Sequence, residues 1–166
     1  MNISIRAETP GDIEAIARLT EAAFRNETHS SHTEQYIIDA LRRAGALTFS
    51  LVAEANGQVI GHIAASPVTI DGEAGDWYGL APLSVAPERQ RQGLGSQLVR
   101  RLLAELRMLP AGVVLGEPTY YSRFGFRVES GLALPGVPAE YFQAQSFSGR
   151  MARGIVAFHA AFDASD

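Results

Sequence analysis

The chain has 166 residues, 46% hydrophobic and 19% charged, which suits one domain with a proper core and excludes a disordered, collagenous or coiled-coil composition. Its formal net charge of −4 gives no bulk electrostatic case for a nucleic-acid partner. The absence of cysteine excludes disulfides, thiolate metal sites and a cysteine nucleophile, and it fits a reducing cytoplasm.

The first residues, MNISIRAETPGDIEAI, lack the basic-then-apolar pattern of a signal peptide. No apolar run approaches the roughly 18 residues that a membrane helix needs. The chain therefore reads as one soluble, cytoplasmic domain over residues 1–166 with no membrane partner. Residues 2–8 alternate Ile3, Ile5 and Ala7 with polar neighbours, as a half-buried strand does. Thr9, Pro10 and Asp12 then form a box-like helix start, and Ile13, Ile16, Ala17, Thr20 and Phe24 trace one helical face. A polar connection, Asn26 to His32, leads to a second box, Ser31 with Glu34, and to a helix ending near Gly45.

From Thr48 the hydrophobic period becomes that of strands. FSLVAEANGQVIGHIAASPVTI predicts two strands joined at Asn56-Gly57, and the turn Asp71-Gly72 leads to a further strand from Trp77 to Val85. Pro82 inside that strand argues for a bulge or a free edge. A helix after Gly95 carries Leu98, Leu102, Leu103, Leu106 and Leu109. The apolar GVVL from Gly112 then reads as a strand buried on both faces. EPTYYSRFGFRV suggests a short helix or turn about Tyr120 and another strand. Residues 130–152 are irregular or hold a short helix, and GIVAFHAAF alternates as a last strand would. Together these elements predict an α/β (α+β) domain: a mixed, mostly antiparallel sheet of six to seven strands flanked by about four helices.

The stretch PERQRQGLGSQL places two glycines between a strand and a long helix. The first four N–H groups of a helix lack internal partners and the macrodipole is positive there, so such a turn suits phosphate oxygens. Arg89 and Arg91 stand ready to add charge-assisted contacts, and Arg100, Arg101 and Arg107 extend the local basic cluster. A dinucleotide fingerprint is excluded by the missing third glycine, and a P-loop by the absence of any Gly-Lys pair.

Gln90-Arg91-Gln92-Gly93-Leu94-Gly95 resembles the Q/R-x-x-G-x-G/A signature of the GNAT superfamily of N-acetyltransferases. Tyr120-Tyr121-Ser122-Arg123-Phe124-Gly125-Phe126 resembles that family's Y-x-[KR]-x-G-F ending, and the two motifs at this separation make a specific signal. The resemblance covers nearly the whole chain. It implies the GNAT fold and acetyl-CoA as acetyl-donor substrate. The pyrophosphate would be held by Gln90, Arg91, Gln92, Gly93, Leu94, Gly95 and Ser96, and the pantetheine arm would lie along Leu83, Ser84 and Val85, in the strand before the signature. It also implies Tyr121 as general acid, since a phenol of pKa about 10 keeps its proton at neutral pH. Glu117 is either a base acting through water or a helix-start carboxylate. Glu27 and His29 lie where related enzymes bind substrate. His62 and His159 read as structural, and with no other clustered ligands no metal is expected. Where many relatives carry asparagine, seven residues before Tyr121, this chain has Val114, and LGEPTYY is compressed as in a bacterial subgroup.

The function these residues imply is transfer of acetyl from acetyl-CoA to a primary amine, on a small molecule or a protein, by direct attack in a ternary complex. The alternative is a non-catalytic acyl-CoA sensor, and a weaker third reading is a nucleotide-binding domain using the same turn. The apolar final strand is compatible with a homodimer.

Overall fold

Two strands of 13 residues each, β3 (Gln58–Ile70) and β4 (Glu73–Val85), form the spine of the molecule. The computed structural model describes residues 2–28, 30–115 and 123–166. Around the spine stand β1 (Ile3–Ala7), β2 (Phe49–Ala55), β5 (Gly112–Leu115), β6 (Arg127–Val128), β7 (Leu132–Ala133), β8 (Gln143–Ser146) and β9 (Gly154–Ala157). The sheet runs β1-β2-β3-β4-β5-β8-β6, and β9 pairs with the end of β3 and with β7. Among the described residues all pairings are antiparallel except β4 with β5 and β7 with β9. Nine strands are present among the described residues, more than the six to seven expected; the surplus comes from β6 and β7, two residues each.

Both hairpin turns follow from their sequence. Asn56-Gly57 and Asp71-Gly72 take φ of +52°/+77° and +52°/+80°, the geometry of a type I′ turn, whose twist matches that of the strands. The second hairpin is longer than the periodicity suggested: β4 begins at Glu73 rather than at Trp77. Its tip is held by Asp71, whose N–H donates to Ile155 O and whose Oδ1 accepts from Ile155 N–H, both at 2.8 Å.

Among the described residues three α-helices cover the sheet: α1 (Ile13–Phe24), α2 (Glu34–Arg43) and α3 (Leu94–Leu106). Strand alternation sends Leu51 and Ala53 to one face of the sheet and Val52 to the other. On the first face they meet Leu98, Leu102 and Leu106 of α3. On the second, Val52 packs with Ile16 of α1 and Ile38 of α2. Gly61 permits the close approach of α3, because a Cβ there would lie 2.9 Å from Leu98.

The expected Ser31–Glu34 box is not formed. Ser30 Oγ donates to both Glu34 carboxylate oxygens at 2.8 and 2.7 Å, and the N-cap position of α2 is Thr33, whose side chain makes no cap bond. At its other end α2 closes as the glycine suggested: Ala46 N–H reaches Leu41 O and Gly45 N–H reaches Arg42 O, with Gly45 at φ +68°. The last strand is shorter than its alternation implied. After Ala157 the chain turns into a 3-10 helix, Ala160–Asp163, which His159 caps by accepting Ala161 N–H on Nδ1. Ala161 and Phe162 then pack against Ile37 and Leu41 of α2, burial that a continued edge strand would not have given them.

Candidate active site

The site grows from the part of β4 that follows its pairing with β5. The two strands pair in parallel only over Trp77–Gly79 with Gly112–Val114. The bulge expected at Pro82 lies immediately beyond: two steps along β3, Ile63 to Ala65, face three along β4, Leu83 back to Leu80. The Ala81–Pro82 peptide is cis. No strand among the described residues is registered opposite Leu83–Val85 on the side away from β3.

The ladder decides which main-chain groups face that open side. Ala86 N–H donates to Ile60 O at 2.9 Å, and Gly61, His62 and Ile63 stand opposite Val85, Ser84 and Leu83. Antiparallel pairs alternate between bonded and non-bonded. The main-chain groups of Leu83 and Val85 therefore point away from β3, and those of Ser84 toward it. In agreement, Val85 O accepts from Gln90 Nε2 at 3.1 Å. The Ser84 side chain is buried, and among the described residues its Oγ has no hydrogen-bond partner.

Chain leaving β4 forms a 3-10 turn, Pro87–Arg89, and then the loop. Arg91 and Gly93 both take positive φ, +63° and +85°. Gly93 is the N-cap of α3 and offers no side chain to its first turn; Gln97 N–H is bonded to Gly93 O. The amides of Leu94 and Gly95 precede that bond, at the positive end of the helix dipole. Gly95 is the second residue of α3 and has no positive φ.

These parts line one cleft of about 860 Å³, within the range of small-molecule sites. Leu83, Val85, Gln90, Arg91, Gly93, Leu94, Gly95 and Ser96 line it, as does Glu27 beyond the end of α1. Ser84 and Gln92 do not; Gln92 Nε2 donates instead to Glu88 O at 3.3 Å. Tyr121, Glu117 and His29 lie outside the described residues. Arg89 and Arg100 join Arg91 on the wall, whereas Arg101 donates to Glu105 and Ile5 O, and Arg107 covers the Phe147 ring.

Arg123, which the sequence offered only as part of the family ending and as a solvated or structural charge, was not among the expected site residues. It lines the cleft, donates to Ser96 Oγ, and lies 5.0 Å from the Phe124 ring centre, with Arg100 at 5.4 Å from the same ring. One signal existed: Arg123 stands beside an aromatic, and guanidinium groups favour such faces. Phe24, whose helical period marked it only as core, lines the cleft as well. Among the described residues no group of three His, Asp or Glu is placed to hold a metal ion, and no helix among them is long and apolar enough to cross a membrane.

Beneath the open edge lies a polar cluster on the α1–α2 face. His62 is fully buried, its Nε2 2.8 Å from Ser50 Oγ; Ser50 Oγ donates to Glu8 Oε1 at 2.5 Å, and Arg42 Nη2 to the same oxygen at 2.9 Å. Burial pushes the His62 imidazole down from its ordinary value to about 4; Glu8 opposes that shift and Arg42 adds to it. His62 is a structural neutral base, not a member of the cleft.

A bulged strand whose Leu83 and Val85 face away from β3 and a glycine-capped helix start lining the same cleft agree with the acyl-coenzyme transferase arrangement that the loop sequence resembles. The family model for the acetyltransferase (GNAT) domain matches residues 4–128. The chain is 42% identical over 127 residues to a protein described as the uncharacterized N-acetyltransferase YhbS of Escherichia coli, covering 75% of this chain and 73% of that one. Among solved structures it is similar to a GNAT family acetyltransferase from Brucella melitensis in complex with acetyl-CoA, at 49% identity and TM-score 0.87, over 98% of this chain and 99% of that one. It is also similar to the YhbS structure from Escherichia coli in complex with CoA, at 36% identity and TM-score 0.86, over 99% and 93%. The chain belongs to the GNAT acetyltransferase family, and it is an acyltransferase of that fold.

Proposed function

We propose that the chain transfers an acetyl group from acetyl-CoA to a primary amine by direct attack within a ternary complex, as a single domain working in the cytoplasm. The observation that carries this reading is the cleft itself, where the Gly93-capped start of α3 and the open edge of β4 line one continuous space. The two similar structures, solved with acetyl-CoA and with CoA, support the same donor.

In this reading the amides of Leu94 and Gly95, with Arg91 and Arg100, take the pyrophosphate. The outward main-chain groups of Leu83 and Val85 align the pantetheine arm and give the thioester oxygen a donor as it gains charge. As the amine nitrogen bonds to the acetyl carbon, the carbon–sulfur bond breaks. The nitrogen gives up one proton, which Glu117 accepts through water, and the departing thiolate takes one from Tyr121. No cysteine exists to carry the acetyl group, which favours direct attack.

The test is free-thiol release from acetyl-CoA against a broad panel of amines. Amine-dependent release at a rate well above hydrolysis is the expected result. Tight CoA binding without any amine-dependent release would replace the transferase with a sensor of acyl-CoA.

A further inference from the structure

A second, smaller cavity of about 280 Å³ adjoins the cleft, and the two share Phe24 and Leu83. Its walls come from four parts of the chain: Phe24 at the end of α1, Glu34 and Ile37 on α2, Pro82 and Leu83 in the bulged segment of β4, and Phe162 in the C-terminal 3-10 helix. It therefore opens on the same stretch of β4 whose main-chain groups face the cleft.

Its chemistry is selective. Among the described residues that line it, Glu34 is the sole charged side chain. Its carboxylate is steadied by Ser30 Oγ at 2.8 and 2.7 Å. The remaining lining residues are apolar. A second charge or a ring of hydroxyls seated here would lose water without gaining a partner, at a cost of about 1–3 kcal/mol for each group. The volume lies at the lower edge of the roughly 300–1,000 Å³ usual for small ligands.

We propose that this cavity seats the acceptor, and that the acceptor is a monoamine on a compact apolar body; it enters as an ammonium opposed by Glu34, which takes its first proton and leaves the neutral nitrogen for attack, while its body is held against Phe24, Pro82 and Phe162. The proposal rests on the transferase reading above and adds to it a substrate class and two specificity-determining residues. Glu34 recognises the cation, and Phe162 limits the length of the body behind it. Neither belongs to the loop that takes the coenzyme.

Calorimetric titration of the full chain tests it, with and without CoA, using 2-phenylethylamine as probe. The comparators are 2-phenylethanol, spermidine and a lysine-containing tetrapeptide. The expected order is 2-phenylethylamine first. Its affinity should fall by about tenfold or more in Glu34→Gln, the loss of one charge-assisted contact, while CoA affinity is unchanged. Phe162→Ala, which leaves Glu34 in place, should admit 2-(2-naphthyl)ethylamine that the wild type rejects. Equal binding of 2-phenylethylamine by wild type and Glu34→Gln would overturn the proposal, as would preference for spermidine or the peptide. Because amine binding is read directly, failure of acetyl transfer with this binding pattern intact would count against the transferase reading alone.

Discussion

The side-chain amide of Gln90 donates to the main-chain carbonyl of Val85 at 3.1 Å, tying the first residue of the glycine loop back to the open edge of β4. This bond spans the 3-10 turn Pro87–Arg89 and fixes the start of α3 relative to the strand. Coenzyme phosphates and acyl carbonyl would otherwise depend on two independently moving pieces of backbone, and preorganised donors act only if their geometry is held.

Gly95 separates stability from binding. It lies inside α3 without positive φ, so Gly95→Ala removes a helix-weakening residue and should raise stability by up to about 1 kcal/mol. Coenzyme affinity should change little, because the signature this loop resembles accepts alanine there. Gly95→Phe places a ring on the cleft wall and should weaken CoA by more than about tenfold. Thermal melts and calorimetry on the two variants check both outcomes.

His62 sets an acid-side slope. Its folded value of about 4 lies below the ordinary 6.5. Between those values the unfolded chain binds a proton that the folded chain does not. Stability should therefore be full above about pH 6.5 and fall with pH toward 4, by up to about 1.4 kcal/mol per unit. His62→Gln should flatten that window in urea titrations at pH 4.5, 5.5 and 6.5, despite costing stability at neutral pH.

Asp12 provides a stability control remote from the coenzyme cleft. Its carboxylate accepts from Arg6 Nη1 at 2.7 Å, Arg6 Nη2 at 3.1 Å and Thr9 N–H at 2.7 Å, clasping β1 to the start of α1. The Arg6 guanidinium, with help from Thr9, holds it well below the usual carboxylate range. This contribution is present above about pH 4 and lost as pH falls below it. Asp12→Asn should cost about 1–2 kcal/mol, with CoA affinity per folded molecule unchanged; denaturation and calorimetry read the two quantities.

Much of this fold is legible in the sequence because the turn chemistry is local. Asn56-Gly57, Asp71-Gly72 and Gly45 each sit where only a positive φ closes the chain, and each does so. Pro82 announces the bulge by its missing N–H. What stays hidden depends on distant partners. Nothing local tells that the main-chain groups of Ser84 point toward β3, since that follows from its register against His62. The C-terminal GIVAFHAAF has a strand's alternation, and docking of Phe162 on α2 overrides its second half. Arg123 reaches the cleft through a tertiary bond to Ser96 that no spacing records.

Tyr121, outside the described residues, is the residue proposed for the acid role that the family ending implies. Tyr121→Phe should lower turnover by about 10²–10⁴ while leaving CoA affinity nearly intact. Steady-state thiol release, together with calorimetry on the same preparation, separates the two quantities. A loss of affinity matching the loss of rate would assign the residue to packing.

The central claim is that the helix start at Gly93 holds the coenzyme, and titration of the chain with CoA measures this most directly, alongside Gly93→Val and ATP. Saturable heat is expected with CoA, and none of comparable affinity with ATP. Heat with CoA should be lost in a Gly93→Val protein that still melts cooperatively. No heat from the wild type, or undiminished affinity in the variant, would contradict it.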